Sequence, residues 1–489
     1  MSSGEHVSNA LRKTASGIRG FDEITGGGVP SGRPTLICGG PGCGKTLFGI
    51  EFLIRGALEK GEPGVLMSFE ERPEDLIDNT QALGFDLGDL VRRKLLVIDY
   101  VKVDRSEIQE TGEYDLEGLF VRLNLAIDAI GAKRVLLDTI ESLFAGLPNE
   151  LLLRSELRRL FLWLKEKGVT AIVTGERGTG MLTRHGLEEY ISDCVILLDH
   201  RVTAQVSTRR LRVVKYRGST HGTNEYPFII DTDGITVIPI TSVGLVHHAP
   251  EERLSTGIPA LDDMFGGAGF YRGSSVLLTG SAGTGKTTIA ARFAEAACER
   301  GERALFFAFE ESQDQLARNM ASVGMALARH TESGRLMSSC MRPTLVGLEA
   351  HLSGMMRQID AVKPDVTVID PISSLLTASA APDVHAMLIR LIDHLKMQDI
   401  TVVMTSLLNE TSAPATEMGI SSIVDTWIDV RDAAVGKDRR RELYVIKSRG
   451  MKHSRQVREL TLSDAGINLT DLAPLAGSSM RPVGKKRVT

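Results

Sequence analysis

The sequence predicts an α/β chain in which one unit, built on a central, mostly parallel sheet, occurs twice in tandem. Three observations predict it. Residues 14 to 46, TASGIRGFDEITGGGVPSGRPTLICGGPGCGKT, echo residues 255 to 287, STGIPALDDMFGGAGFYRGSSVLLTGSAGTGKT, in the placing of glycines, of apolar residues and of the closing GKT. The register then holds far downstream: Lys45 and Lys286 lie 241 residues apart, Glu70 and Glu310 240, Asp138 and Asp370 232, Lys215 and Lys447 232. Within each copy, short apolar runs such as PTLICGG, VTAIVTG and DCVILLD alternate with longer stretches of helical period such as LLLRSELRRLFLWLKEKG. Uninterrupted apolar strands between helices mark a parallel sheet covered on both faces.

Length agrees with the repeat, since 489 residues exceed one ordinary core and suit two. The join falls in TSVGLVHHAPEERL, residues 241 to 254, which gives domains at 1–246 and 247–470 and a flexible basic tail at 471–489 carrying Arg481, Lys485, Lys486 and Arg487. Hydrophobic residues at 42% and charged ones at 24% fit a folded globular chain, not a disordered or membrane one. A formal charge of -5 gives no bulk attraction to nucleic acid or anionic lipid, so neither is an expected partner. Cys38, Cys43, Cys194, Cys298 and Cys340 form no C-x-x-C pair and read as reduced thiols. No window approaches 18 apolar residues and MSSGEHVSNALRKTASG lacks a signal-peptide core, so the expected location is the cytoplasm.

Each unit then presents its chemistry at the same places. GGPGCGKT, Gly39 to Thr46, and GSAGTGKT, Gly280 to Thr287, both satisfy G-x-x-x-x-G-K-[ST] between an apolar strand and an amphipathic helix. Gly39, Gly42 and Gly44, with Gly280, Gly283 and Gly285, let backbone amides wrap phosphates. Lys45 and Lys286 bring positive charge to the β/γ oxygens, and Thr46 and Thr287 offer a hydroxyl to Mg²⁺. ATP and Mg²⁺ are therefore the expected ligands.

One strand later, VLMSFEERPEDL and LFFAFEESQDQL each close on two glutamates. Glu70 and Glu71, and Glu310 and Glu311, stand where a base or water-orienting carboxylate belongs. An acidic helix start would look the same, but recurrence in both units favours catalysis. RVLLDTIESL and VTVIDPISSL end apolar strands in Asp138 and Asp370, which suits a carboxylate on Mg²⁺ or its water and equally a helix cap. KYRGSTH and KSRGMKH give Lys215, Arg217 and His221, and Lys447, Arg449 and His453. Late-strand cations have little work to do inside their own unit; in ring ATPases such cations reach the neighbour's phosphates. A solvated hairpin end is the plain reading of either copy alone.

Two such units, each with FEE after its second strand and K-x-R-G late, resemble the KaiC family of circadian clock ATPases and autokinases over nearly the whole chain. HGLEEYISDCVILL, RGSTHGTNEYPFIID and the stretch from AGTGKT through FEESQDQL are similar to family segments, as is GISSIVDTW at residues 419 to 427. The resemblance implies two RecA-like P-loop NTPase domains. It places Ser421 and Ser422 at the family's phosphosites, with Glu417 at an acidic position and Ser422 where the family has Thr. Without it, these serines read as turn or helix-start residues.

It further implies transfer of the ATP γ-phosphoryl to Ser421 and Ser422 across a subunit interface with Glu310 as base, and a slow ATPase in the first domain with water held by Glu70 and Glu71. The implied assembly is a homohexameric double ring, with a small KaiB-like partner near GEYDLEGLF, residues 112 to 120. The short basic tail departs from the cyanobacterial pattern and does not support docking of a KaiA-like activator. Two alternatives stand beside this reading. One is a signalling scaffold gated by nucleotide without kinase activity. The other is a RecA- or DnaB-like DNA-dependent ATPase, for which no basic, aromatic-interleaved groove is visible in the sequence.

Overall fold

The computed structural model describes residues 11–101, 116–144, 150–178, 191–203, 206–239, 248–408, 419–435 and 438–472. Residues 112–115 of the partner segment, residues 185–190, Glu417 and the tail from 473 onward lie outside them. The chain divides into two compact units, Met1–Gly244 and Leu245–Thr489.

In the first unit, nine strands among the described residues line up in the order Gly234–Val237, Glu225–Asp231, Val206–Tyr216, Cys194–Thr203, Pro34–Gly39, Thr170–Glu176, Arg134–Asp138, Gly64–Ser68, Leu96–Tyr100. From Cys194–Thr203 onward in that order all neighbours run parallel, and the three other pairings are antiparallel hairpins. The second unit repeats the arrangement: Gly466–Asp471, Arg458–Ser463, Asp438–Ser448, Thr426–Val435, Ser275–Gly280, Thr401–Leu407, Val366–Asp370, Ala304–Ala308, Leu336–Cys340. The fold is thus two copies of a mostly parallel α/β sheet, as the repeat predicts.

Alternation along each parallel strand divides the core into two layers. Leu66, Leu136 and Ile172 pack with Phe48 and Phe52 of the helix Lys45–Lys60. Their neighbours Val65, Met67, Val135, Leu137, Ala171 and Val173 pack on the opposite face with Phe120, Leu157 and Phe161. Burial on both faces explains why these strands read as unbroken apolar runs.

The glycine-rich loop lies at the C-terminal end of the central strand in each unit, so that end of the sheet is one pole of the domain. The K-x-R-G segments lie at the other pole. Lys215 pairs with Val195, whose parallel neighbour is Leu36 near the start of Pro34–Gly39. Lys447 pairs with Trp427, whose neighbour is Leu277 in Ser275–Gly280.

Candidate functional site

Both glycine loops carry an αL glycine, Gly44 (φ 101°) and Gly285 (φ 98°), immediately before the helices Lys45–Lys60 and Lys286–Glu299. No side chain caps these helix starts, so their first amides face outward, as an anion site requires. Gly42 and Gly283 have φ of +69° and +80°, and an added Cβ there would meet nothing within 4 Å; the open space beside them is the cradle. Gly39 and Gly280 serve close packing instead. A Cβ would sit 2.4 Å from the Leu198 carbonyl oxygen in the first case and 2.0 Å from that of Val430 in the second.

The loop lysines fold back over their own loops. Lys45 Nζ donates to the carbonyls of Gly39 (2.9 Å) and Gly40 (3.0 Å), and Lys286 Nζ to those of Gly280 (2.8 Å) and Ser281 (2.6 Å). Burial brings the Lys286 ammonium down to about 8, against the pull of Asp370, Asp429 and Glu310.

Thr46 Oγ1 donates to Asp138 Oδ2 at 2.9 Å and Thr287 Oγ1 to Asp370 Oδ1 at 3.2 Å, joining the helix start to the end of an inner strand. Each aspartate accepts a second hydroxyl, from Thr174 and Thr405 respectively. Burial raises both carboxyls above the usual aspartate range despite these bonds, with the nearby glutamates adding to the shift. A buried carboxylate and a hydroxyl beside a phosphate cradle form the oxygen donor set of a hard divalent cation, and fit Mg²⁺.

The glutamate pairs follow the strands Gly64–Ser68 and Ala304–Ala308. Glu70 is exposed and accepts from Thr139 (2.8 Å) and Ser142 (2.6 Å); Glu310 is exposed and accepts from Ser374 (2.6 Å). Glu71 and Glu311 turn away to Asn79 (3.2 Å) and Asn319 (3.1 Å) on the following helices. Thus Glu70 and Glu310 are held by the short helical segments that follow Asp138 and Asp370, with Thr139 just ahead of the first, while Glu71 and Glu311 tie down the next helix.

The late-strand cations differ from expectation, because they do have partners inside their own unit. Arg217 meets Asp193 at 3.5 Å and its amide donates to the Asp193 carbonyl. Lys447 Nζ donates to the Ser421 carbonyl and Arg449 Nη2 to that of Ser422. The reason is topological: the antiparallel return strand ends beside the segment that opens its neighbour. His221 stacks on Tyr216, with centroids 6.1 Å apart, and His453 Nδ1 lies 3.4 Å from the Met451 carbonyl oxygen. None of these six is at the glycine-loop pole of its own sheet.

Sequence motifs do not single out Thr174, Thr405, Ser142 or Ser374. Their signal is recurrence at the repeat offset: VTG against MTS at the ends of two strands, and a serine four residues beyond each aspartate.

Two glycine loops, two buried aspartates and two strand-end glutamates, each set on the same parallel sheet, define a tandem P-loop nucleotide-binding protein. The family model "ATPase: KaiC" matches residues 14–242 and again 254–473. The chain belongs to the KaiC family. It is 56% identical over 465 residues to the circadian clock protein KaiC2 of Synechocystis sp., an alignment covering 94% of this chain and 82% of that protein. It is 37% identical over 467 residues to the circadian clock oscillator protein KaiC of Synechococcus elongatus, covering 94% and 90% respectively. Among the described residues, no helix is long and apolar enough to cross a membrane.

Proposed function

We propose that this KaiC-family ATPase is an autokinase whose second unit phosphorylates Ser421 and Ser422 of a neighbouring copy, while its first unit is a slow ATPase. One observation carries the reading: the serines and the glycine loop occupy opposite poles of the same sheet. The Asp425 amide, just past the serines, bonds the Ser275 carbonyl at 2.9 Å, whereas the phosphate loop begins at Gly280. From Ser275 to Gly280 is five residue steps along the strand, roughly 16 Å at the usual rise. A subunit therefore does not reach its own serines, and a second copy must supply the phosphate donor. A closed homohexameric double ring meets that need head to tail.

In this reading the amides of the Gly280–Thr287 loop and Lys286 bind the β/γ-phosphates. Thr287 and Asp370, like Thr46 and Asp138 in the first unit, hold Mg²⁺, which neutralises phosphate charge. Glu310 accepts the proton as the serine Oγ forms its bond to the γ-phosphorus and the bond to the ADP oxygen breaks. Lys447, Arg449 and His453 approach the neighbour's phosphates, as Lys215, Arg217 and His221 do in the first unit. Glu70, with Glu71 behind it, orients water instead of serine. Residues 116–120 belong to the segment where a KaiB-like partner docks.

The test is phosphosite mass spectrometry of the purified protein incubated with Mg²⁺ and ATP. Phosphate on Ser421 and Ser422 is expected. A fully turned-over sample with neither serine modified overturns the kinase reading and leaves the nucleotide-gated scaffold and the DNA-dependent ATPase, which stimulation of turnover by DNA would separate.

A further inference from the structure

We infer that Lys447 and Arg449 are positioning residues that hold the acceptor serines by their backbone, each governing one of the two hydroxyls. The inference rests on the autokinase reading and deepens it. Ile420–Ser422 is a single 3-10 turn, entered through Gly419 at φ 64°. Ile420 and Val424, both fully buried, anchor it at either end, and the amides of Ile423 and Val424 return to the Ile420 carbonyl at 3.0 and 3.3 Å. The turn's own hydrogen bonds thus use the carbonyls of Gly419 and Ile420. The carbonyls of Ser421 and Ser422 point out of its C-terminal end, and these are the two that Lys447 and Arg449 take.

A cation at the C-terminal end of a turn meets the negative end of its peptide dipoles, and a charged donor makes the stronger class of hydrogen bond. The donors are themselves fixed. The Arg449 amide donates to the Asp425 carbonyl at 2.8 Å, and Lys447 sits in a ladder rung opposite Trp427. Burial and the adjacent Arg449 charge lower the Lys447 ammonium, consistent with its tucked position. Fixing the carbonyl on each serine restrains that residue's ψ and hence the direction of its Cα–Cβ bond, so that the hydroxyl is left only its staggered χ1 positions about a fixed axis. Ser422 Oγ is oriented further by donating to the Gly419 carbonyl at 3.0 Å. Lysine has three donors and arginine five, so a carbonyl bond leaves each with N–H groups for a neighbour's phosphate.

The two roles separate experimentally, because contact with a neighbour's phosphate serves both serines alike whereas the carbonyl bonds are individual. In full-length protein incubated with Mg²⁺ and ATP, Arg449→Gln is expected to lower phospho-Ser422 relative to phospho-Ser421, and Lys447→Gln to do the reverse, each by about threefold to tenfold. Arg449→Lys is expected to recover part of the ratio. Equal loss at both sites in both variants, with the ratio unchanged, overturns the assignment. Amide hydrogen exchange decides independently of any kinase activity. Residues 419–425 of nucleotide-free Arg449→Gln protein are expected to exchange about tenfold faster, with the rest of the sheet unaltered, and unchanged exchange there overturns the inference. Absence of phosphate on the unaltered protein counts against the kinase reading alone, and the exchange result still decides the clamp.

Discussion

Beneath the glycine loop the two units solve the same packing problem with different chemistry. In the first, Cys38 pairs with Leu197 across the central strands, and together with Leu36 and Val195 they form an apolar cluster. In the second, Thr279 pairs with Asp429, donates to its carboxylate at 2.6 Å, and accepts from the Trp427 indole at 2.9 Å; the Tyr444 hydroxyl also bonds Asp429. A buried carboxylate therefore lies near Lys286 where the first unit has a leucine. A second contrast sits at the glutamates. Thr139 and Ser142 both occupy Glu70, whereas Pro371 stands in the place of Thr139 and has no hydroxyl to offer Glu310. Under the proposed division of work, the same sheet with different surroundings for the lysine and the glutamate would let one copy hold water and the other a serine.

The largest test of that division is the pair Glu70→Gln and Glu310→Gln. Glu310→Gln is expected to slow phosphorylation of Ser421 and Ser422 by about 10² to 10⁴ while first-unit ATP turnover persists, and Glu70→Gln to do the opposite. Phosphosite mass spectrometry alongside phosphate release reads both. If each variant lowers both readouts equally, the units do not divide the work.

Next comes a contrast in stability. Arg134 is fully buried and donates to Glu62 (2.7 Å) and to the carbonyls of Phe52 (2.7 Å) and Ala15 (2.9 Å), whereas the first residue of the matching second-unit strand is the buried Val366. Arg134→Ala removes the donor to the Glu62 carboxylate and to the Ala15 carbonyl, takes a second donor from the Phe52 carbonyl, which keeps its helical amide, and should destabilise the first unit by about 3 kcal/mol. Val366→Ala, losing only apolar area, should cost its unit about 1 to 2 kcal/mol. Urea titration followed by hydrogen exchange in each unit compares them.

A pH profile sharpens the electrostatic contrast. Phosphate binds the protonated lysine, and Lys286 sits at about 8 rather than 10.5. Nucleotide affinity of the second unit should be full below that pH and fall by up to about tenfold per unit above it. Asp429→Leu removes a group that raises the Lys286 value, so the fall should begin at lower pH. The nucleotide-free second unit should meanwhile gain stability as pH rises from about 8 toward 10.5, because over that window the unfolded chain binds the extra proton. Calorimetric titration with ATP and urea unfolding across the range measure these.

The smallest expected effect separates the glutamates' supports. Ser374→Ala should slow the second unit about threefold, and Ser142→Ala the first unit less, since Thr139 still donates to Glu70. Equal effects in single-turnover assays would remove the meaning of Pro371.

What the sequence makes legible follows from where each contact is made. The glycine loops are contiguous in the chain, and their phosphate-wrapping geometry is written into eight residues. Asp138 and Asp370 stand out because an apolar strand ends on them. Thr174 and Thr405 reach those aspartates only through the parallel pairing of strands far apart in the chain, so nothing local marks them. Asp429 lies in the run DTWIDV, where period and composition announce a strand but not a carboxylate beneath a lysine. The bonds of Lys447 and Arg449 to Ser421 and Ser422 depend on the return strand running antiparallel, a direction that K-x-R-G does not encode.

Placing the phosphate loop and the acceptor serines at opposite poles of one sheet has a consequence for information as well as chemistry. Under the proposed transfer, a phosphate on one copy records the nucleotide its neighbour held, never its own. In a closed head-to-tail ring every such transfer would run in the same rotational sense. A mixture of copies lacking Lys286 and copies lacking both serines would then regain labelling that neither shows alone, and the label would appear only on the lysine-deficient chains.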